Sequence, residues 1–586
     1  MRLFLAASIA LIAAKPAAAA PADDFRQLLA DHWQWWLSTN PVQATSLGDR
    51  RWDDKLGDPS LAGADAEAKQ AQAFLDRLDR IPAAALTPAD RTNRAILRTL
   101  LAQQVEANRY GQRAVTFTTY YGWHTGFAGI AQRVPLFTKA DYESYVARLA
   151  AYRAYNAAAI ATTKAGVKAG YAQPCAPLQG YEKTISGNLA DTPEQSVFWA
   201  PFKTKPASIN EADWTEIVAR GRAAIAGSVL PAYRDFLTYY TADYLPKCRQ
   251  IAGVGSTPGG QAYYAFRARV ETTTDMTPDQ IHQLGLSEVA RIRTAMDKVV
   301  ADSGFKGTRA EYIAQLRSDP RYFAKTPQEL LEKSAWTAKQ IEAWMPRLFG
   351  KLPRQPFTVA PIPAAIAEGT TTAYYMSGLT SAGRPGTYAV NTSKLDQRPL
   401  YELPALTAHE AVPGHHHQIA LQQELDLPEF RKHAADFTAF VEGWALYSES
   451  LGAEMGLYDT PEKRMGQLSY EMWRACRLVV DTGMHSKGWT RDQAIQFMLD
   501  NTALSRANIE AEVNRYITWP GQALAYKVGE LTIKRLRAKA EAELGSRFDL
   551  RAFHDAVLEN GAIPLSVLEA NIDAWIAKTT AAGPIM

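Results

Sequence analysis

Residues 437–449, FTAFVEGWALYSE, indicate a helical protein with a buried interior. The segment is apolar nearly all round, which is typical of a helix enclosed by other elements. Two carboxylates, Glu442 and Glu449, interrupt it seven residues apart and so share one helical face. Because a buried carboxylate is costly unless it is paired or bound to a metal, this helix is also a candidate for function.

Further helices are predicted upstream, where apolar residues recur at three- and four-residue spacing. Strand signals are sparse, apart from a short run at 387–391 that follows a turn and that 370–375 could join. We therefore predict a mainly α fold: a large helical bundle enclosing a cleft, with a small β-hairpin or sheet close to the histidine-rich segment described below. The predicted helical segments are 64–78, 90–107, 142–165, 213–240, 277–303 and 326–348.

The length of 586 residues allows two or three domains or one large helical unit. We predict one unit over 21–586, with a sub-domain junction near 250–262, where GVGSTPGGQ occurs. Balanced charge, with 64 basic and 61 acidic residues, argues against nucleic acid or an anionic membrane as partner. We expect a monomer or a weak dimer with no membrane-spanning segment.

The first twenty residues are typical of a Sec-type signal peptide. Arg2 precedes an apolar stretch, and the alanines at 17–20 offer cleavage sites. No cysteine follows the stretch, so a lipid-modified N-terminal cysteine is excluded, and we expect a periplasmic or secreted protein. In such an oxidising compartment a Cys175–Cys248 disulfide is plausible, whereas Cys476 lies in a helical stretch and is predicted to be a buried thiol.

Residues 407–418, TAHEAVPGHHHQ, contain four of the ten histidines. A His-Glu pair on a helix is how many zinc peptidases combine a metal ligand with a general base, here His409 and Glu410. The usual second histidine four residues on is replaced by Pro413. On an ideal helix His416 lies about 20° from His409 and His415 about 120° from it, but Pro-Gly breaks a helix, so this geometry leaves the second ligand open.

Glu442 is the candidate third ligand. It follows His415 by 27 residues, a helix-turn-helix distance that can bring two antiparallel helices to one metal. The alternative is a buried glutamate that pairs with an arginine, as structural ion pairs often do. The histidine cluster favours the metal.

HEAVPGHHHQ and FVEGWALYSE together resemble the DUF885 family of bacterial secreted proteins and lipoproteins. STNPVQATSLGDRRWD, GRPGTYAVN, RLVVDTGMHSKGW and RYITWPGQALAYKVG extend the resemblance over most of the chain. The family is similar to the helical gluzincin peptidases, such as angiotensin-converting enzyme, thimet oligopeptidase and carboxypeptidase Taq. The resemblance implies Zn²⁺ held by His409, His415 and Glu442, with Glu410 as the base and His416 as the alternative ligand.

The resemblance also implies a downstream tyrosine that stabilises the oxyanion. Tyr526 and Tyr516 are the candidates, with Arg515 beside them in the substrate site, and core packing is the alternative for each tyrosine. His485 could contact substrate, or it could be a hydrogen-bonded core residue.

The strand from Tyr388 to Asn391 is expected to be an edge strand that pairs with substrate backbone, with a purely structural hairpin as the alternative. The sequence thus predicts a zinc metallopeptidase that hydrolyses short peptides. The alternatives are a catalytically inactive extracytoplasmic binding protein and a zinc hydrolase of a non-peptide amide or ester.

Overall fold

The computed structural model describes residues 20–119, 121–367, 371–378 and 383–581. Within these ranges the chain is mainly α-helical and has one three-stranded sheet, which confirms the predicted fold class. The predicted signal peptide lies outside the described residues except for Ala20. None of the described helices is long and apolar enough to cross a membrane.

The helices that precede the sheet begin where the sequence indicates. Thr87, Thr277 and Thr326 each accept a hydrogen bond from a backbone N–H of the first helical turn, and a proline follows each of them. The six predicted helical segments are confirmed, with a short break at 343–344. The helices are α1 (Pro21–Thr39), α2 (Pro41–Ser46), α3 (Leu61–Asp79), α4 (Pro88–Ala107), α5 (Trp123–Ala128), α6 (Lys139–Lys168), α7 (Lys183–Ser186), α8 (Glu211–Ala224), α9 (Leu230–Tyr239), α10 (Gly260–Thr272), α11 (Pro278–Asp302), α12 (Arg309–Ser318), α13 (Pro327–Glu342) and α14 (Met345–Leu348).

The sheet lies between α14 and the histidine-rich segment. Its strands are β1 (Phe357–Pro361), β2 (Ala373–Met376) and β3 (Gly386–Val390), in the order β1-β3-β2. β2 pairs antiparallel with β3, which confirms the predicted pairing, and β1 pairs parallel with β3 on its other side. The prediction that β3 is an edge strand is therefore wrong, because both of its hydrogen-bonding sides are occupied within the sheet.

The helices from the sheet onward surround one very buried helix, α20, in which every residue from Met465 to His485 is buried. The predicted buried helix at 437–449 is confirmed as α19. The helices are α15 (Ala364–Ala367), α16 (Leu403–Glu410), α17 (His415–Glu424), α18 (Glu429–His433), α19 (Thr438–Leu451), α20 (Pro461–Lys487), α21 (Arg491–Asn501), α22 (Arg506–Thr518), α23 (Ala525–Leu544), α24 (Leu550–Leu558) and α25 (Leu565–Ala581).

A separate hydrophobic cluster forms from residues between Phe117 and Tyr244, mainly on α6 and α9, and the chain then returns to the principal core at Val254. The Cys175–Cys248 disulfide is confirmed, and it joins two cysteines that are 73 residues apart within this part of the chain. Cys476 is a buried free thiol, also as predicted. The junction near 250–262 stays a prediction.

Two glycines set the distance between α19 and α23. A Cβ atom at Gly529 would lie 1.9 Å from the carbonyl oxygen of Ala439 and 2.7 Å from the Cα atom of Gly443. A Cβ atom at Gly443 would meet the backbone of residue 529 at 2.5 Å in turn. Only glycine allows the two backbones to approach this closely, and the crossing lies next to Glu442 on one helix and near Tyr526 on the other.

We expect Gly529→Ala to lower the free energy of unfolding by about 1–3 kcal/mol, because its methyl group meets backbone atoms that can move only if the helices separate. Urea unfolding measures the change. Gly227→Ala is the matched control, since a Cβ atom at Gly227 meets no atom within 4 Å. Equal stability of the two variants would contradict the close crossing.

Candidate metal centre

The structure brings His409, His415 and Glu442 together. The Nε2 atoms of His409 and of His415 each lie 3.4 Å from Oε2 of Glu442. One ligand atom from each of the three residues lies within 4.8 Å of the other two. Two neutral imidazoles and one carboxylate are a donor set that suits zinc.

A break between α16 and α17 turns His415 toward His409. α16 ends at Glu410 and α17 begins at His415, so the two histidines do not share one helix. A Cβ atom at Gly414 would lie 1.9 Å from the carbonyl oxygen of His409, so the chain can pass here only with glycine. The indole Nε1 of Trp444 donates to the carbonyl of Pro413 at 2.8 Å and holds the break against α19.

His416, the alternative ligand, points away from this centre. Its Nε2 donates to the backbone carbonyl of Gln355 at 3.1 Å, so its Nδ1 accepts from the hydroxyl of Tyr375 at 3.0 Å. Burial lowers the pKa of His416 to about 4, which keeps the ring neutral. The structure therefore places His415, and not His416, beside His409 and Glu442.

Glu449 orients His409 from behind. Its Oε1 accepts from Nδ1 of His409 at 2.8 Å, and Nη2 of Arg474 lies 3.2 Å from the same oxygen. A histidine that donates from Nδ1 to a carboxylate presents Nε2 to a metal, and this is the usual arrangement around zinc. The shared face of Glu442 and Glu449 was visible in the sequence, but the contact with His409 was not predicted.

The environment of the centre shifts the pKa values of His409 and Glu442. Burial lowers the pKa of His409, but its close contacts with the carboxylates of Glu442 and Glu449 outweigh that effect and raise the pKa to about 9. Burial raises the pKa of Glu442, but its electrostatic interactions with His415 and His409 outweigh that effect and hold the pKa well below its usual value. A cation would take the place of the protons on the imidazoles.

Two atoms of the centre are buried and make no hydrogen bond to any described residue: Nδ1 of His415 and Oε2 of Glu442. Buried polar groups are normally satisfied, so an oxygen left in this state beside two imidazoles fits a metal ion. The carboxylate of Glu410 likewise has no hydrogen bond or ion pair with a described residue, although the residue is only 9% exposed. It is therefore available to bind a water molecule or a substrate.

Tyr526 is the predicted tyrosine that the structure brings to the centre. Its ring stacks at 6.5 Å between centroids on that of His409, and Nη2 of Arg515 donates to its hydroxyl at 3.3 Å. The guanidinium of Arg477 lies 4.3 Å from the ring centroid on α23. Arg474 and Arg477 lie one turn apart on α20. Their contacts were not predicted, because the sequence of a buried helix does not indicate which residues its arginines face.

Tyr516 does not reach the centre and belongs to the core. Its hydroxyl donates to Glu512 at 2.8 Å and accepts from Arg477 at 2.9 Å and from the indole of Trp473 at 3.1 Å. The residue is 1% exposed. These contacts favour the alternative of core packing over the predicted role as an oxyanion donor.

His485 is likewise a core residue. Its Nδ1 accepts from the backbone N–H of Val254 at 3.0 Å, and its Nε2 donates to the carbonyl of Tyr516 at 3.0 Å. Because both nitrogens are bound to backbone, the structure favours the alternative of a hydrogen-bonded core residue over a substrate contact.

Tyr388 and Asn391 hold the sheet instead of a substrate. Both are fully buried. The Asn391 amide donates to the backbone carbonyls of Ala367 and Thr371, and the Tyr388 hydroxyl lies 3.4 Å from the hydroxyl of Thr407 on α16. Tyr388 thus connects β3 with the helix that carries His409, and Asn391 holds the segment before β2, which favours the structural alternative over the predicted contact with substrate.

Comparison with known proteins gives a family and a fold. Residues 41–572 match the family described as "Bacterial protein of unknown function (DUF885)". A "putative lipoprotein" from Colwellia psychrerythraea has a similar structure, with a TM-score of 0.87 and 29% identity over 95% of this chain and 100% of that one.

A second solved structure, a "putative lipoprotein of unknown function" from Shewanella oneidensis, has a TM-score of 0.73 and 22% identity over 94% of this chain and 99% of that one, and shows the same fold. No curated protein matches the chain. Since the family match spans most of the sequence, the chain belongs to the DUF885 family of bacterial proteins of unknown function.

Proposed function

We propose that this protein is an extracytoplasmic zinc peptidase that hydrolyses short peptides. The observation that carries the proposal is the convergence of His409, His415 and Glu442, with the unpaired carboxylate of Glu410 directly after the first ligand. The reaction class is the one that the resemblance of HEAVPGHHHQ and FVEGWALYSE to the helical gluzincins implies. The similar structures are described as lipoproteins, which supports a location outside the cytoplasm.

A zinc ion in this site would polarise the scissile carbonyl and lower the pKa of a water molecule. The chain's own residues supply the rest. Glu410 takes the proton of the attacking water and returns it to the leaving amine. The hydroxyl of Tyr526, positioned by Arg515, donates a hydrogen bond to the oxygen on which negative charge develops. Glu449 holds the ring of His409 in the orientation that binding requires.

The intact base favours catalysis over simple ligand binding, because a protein that only binds a ligand does not need Glu410. A non-peptide amide or ester substrate would use the same groups. A panel of matched peptide and ester substrates, with Glu410→Gln as the inactive reference, distinguishes these functions.

We expect purified mature protein to contain close to one zinc ion per chain, and His415→Ala to lose it. His416→Ala is the matched control: it removes the neighbouring imidazole, whose two nitrogens are bound to Gln355 and Tyr375, and should retain the metal. Elemental analysis after dialysis against trace zinc measures the content. Loss of zinc only from His416→Ala would contradict the ligand set, and a metal-free wild type would contradict the peptidase.

A further inference from the structure

A cavity of about 120 Å³ is lined in part by residues of α10 and of the turn between α22 and α23, and it has no role in the chemistry proposed above. Aromatic rings of Tyr121, Tyr263 and Trp519 form part of its wall, and Tyr121 and Trp519 contact each other edge to face at 5.8 Å. Polar side chains line the remainder, among them Gln112, Arg249 and Arg267. Aromatic walls with a few convergent polar groups are typical of ligand sites.

The described residues that line the cavity include two arginines and no carboxylate. The Nε and Nη1 atoms of Arg249 donate hydrogen bonds to backbone carbonyls and to the hydroxyl of Ser256, and its Nη2 makes no hydrogen bond to a described residue. Arg267 pairs through Nη2 with Glu271, and its Nε and Nη1 have no such partner. One carboxylate thus faces two guanidiniums, which leaves a positive charge and several N–H groups for an anionic ligand.

Asp481 is the other carboxyl near Arg267. It accepts hydrogen bonds from the hydroxyl of Tyr264 and the backbone N–H of Gly521, and burial raises its pKa to about 7. Its charge at neutral pH is therefore incomplete, and it does not cancel the excess of the two arginines.

Gln112 gives the cavity one acceptor. The residue is 6% exposed, its Nε2 donates to the hydroxyl oxygen of Thr257 at 2.9 Å, and its Oε1 is buried with no hydrogen-bond partner among the described residues. The Thr257 hydroxyl donates to the carbonyl of Val254 at 2.6 Å, so it can only accept from Gln112. The orientation of the Gln112 amide is therefore fixed, and its Oε1 can accept a hydrogen bond from an N–H group of a ligand.

The cavity and the metal centre share their framework. Trp519 and Pro520 belong to the turn between α22, which carries Arg515, and α23, which carries Tyr526. Arg267 and its partner Glu271 lie on α10, which packs against α19, the helix of Glu442. This shared framework is the reason for relating the cavity to a short peptide bound at the centre.

We infer that this cavity binds the C-terminal residue of a peptide substrate, with Arg249 and Arg267 on the α-carboxylate and Gln112 Oε1 on the last peptide N–H. This inference rests on the proposed function, because only a peptidase would cleave the bound peptide. Binding at the cavity does not itself require hydrolysis. It assigns the enzyme to peptides with a free C-terminus.

The test measures binding by calorimetry to the full mature chain carrying Glu410→Gln, so that no turnover occurs. The probes are N-acetyl-trialanine with a free carboxylate and the same peptide as its C-terminal amide. We expect the acid to bind at least about tenfold more tightly than the amide, because charge-assisted hydrogen bonds to arginine are lost with the carboxylate. Arg267→Gln should reduce this preference to less than about threefold.

Arg269→Gln is the matched control, since Arg269 lies on the same helix and pairs with one carboxylate, Glu106, but does not line the cavity. It should keep the full preference. Arg267→Lys serves if Arg267→Gln fails to fold: it keeps a positive charge beside Glu271 and should lose part of the preference.

Equal binding of acid and amide by the Glu410→Gln protein, or binding of neither, would overturn the inference. A preference that survives Arg267→Gln would place the carboxylate elsewhere, for example on the metal, and would overturn it too. Hydrolysis of both peptides by the wild type is measured separately. Acid preference without hydrolysis would reject the peptidase and keep the cavity, whereas hydrolysis without acid preference would do the reverse.

Discussion

Replacement of Glu410 by glutamine is expected to leave zinc in place and to reduce kcat/KM for a short peptide by about 10²–10⁴-fold. Glutamine has nearly the same shape as glutamate but cannot accept a proton at neutral pH. The carboxylate makes no hydrogen bond or ion pair with a described residue, so its loss leaves no buried partner unsatisfied. The unfolding free energy should therefore change little while the reaction slows.

Glu424→Gln is the control for this experiment, because Glu424 ends α17 and pairs with Arg354 far along the helix from His415. It should retain wild-type kcat/KM. Zinc content and urea unfolding are measured for both variants. Full activity of Glu410→Gln would exclude Glu410 as the base, and loss of zinc from it would assign the residue to the metal instead.

The candidate centre could be predicted largely from the residue types. A helix as apolar as α19 makes any carboxylate in it conspicuous, and a cluster of histidines one helical hairpin away supplies partners for Glu442. Residue types alone did not distinguish His415 from His416, because helical angles apply only to an unbroken helix. The helix is interrupted where Gly414 lies against the carbonyl of His409, so that His415 and not His416 faces His409.

The errors all concern residues whose surroundings come from distant parts of the chain. Tyr516 has the same appearance in sequence as Tyr526, and only the packing of α20 against α22 assigns its hydroxyl to Arg477 and Trp473. The order of the sheet depends on β1, which carried no strand signal strong enough to predict. Without β1, the strand from Gly386 to Val390 looks like an edge.

The contacts behind the centre were also beyond prediction. The Glu449 carboxylate could be placed on the face of Glu442, but its two partners come from α16 and α20. Gly443 and Gly529 approach each other although they are 86 residues apart in the sequence. Neither lies in a sequence pattern that indicates a close helix crossing. Long-range packing, rather than local propensity, determines these features.

The free energy of unfolding is expected to fall steeply as the pH falls below 6.5. Burial lowers the pKa of His32, His124 and His485 to about 4 and that of His554 to about 3. In the unfolded chain these groups titrate near 6.5, so between pH 6.5 and about 4 the unfolded state binds protons that the native state does not. The contribution of these histidines to the stability is fully present above pH 6.5. It is lost as the pH falls, by about 1.4 kcal/mol per pH unit for each histidine.

Two buried carboxyls act in the opposite direction. Burial raises the pKa of Glu402 and of Asp481 to about 7, so the native state binds these protons while the unfolded state, with values near 4, does not. Their contribution grows as the pH falls through the same window and offsets two of the four histidines. His416 and His417, whose pKa values burial lowers to about 4 and about 3, add to these four histidines, so the net difference of about four protons corresponds to a loss of about 5 kcal/mol per pH unit.

Urea unfolding at pH 7.5, 6.5 and 5.5 measures this slope, with EDTA present so that loss of metal does not contribute. His32→Phe tests the assignment, because His32 packs edge-on against Phe74 and Phe430 and its Nδ1 has no hydrogen-bond partner among the described residues. A phenyl ring keeps the packing and removes one titration, so the slope should fall by about 1.4 kcal/mol per pH unit.

Trp35→Phe is the control for that variant, since Trp35 lies one turn away on α1, contacts both His32 and Phe74, and does not titrate. It should lower the stability by the same amount at every pH, whereas His32→Phe should gain on the wild type as the pH falls. A stability that stays constant from pH 7.5 to 5.5 would mean that the buried imidazoles gain solvent or partners when they are protonated. An unchanged slope in His32→Phe alone would instead assign the protons to the other buried histidines.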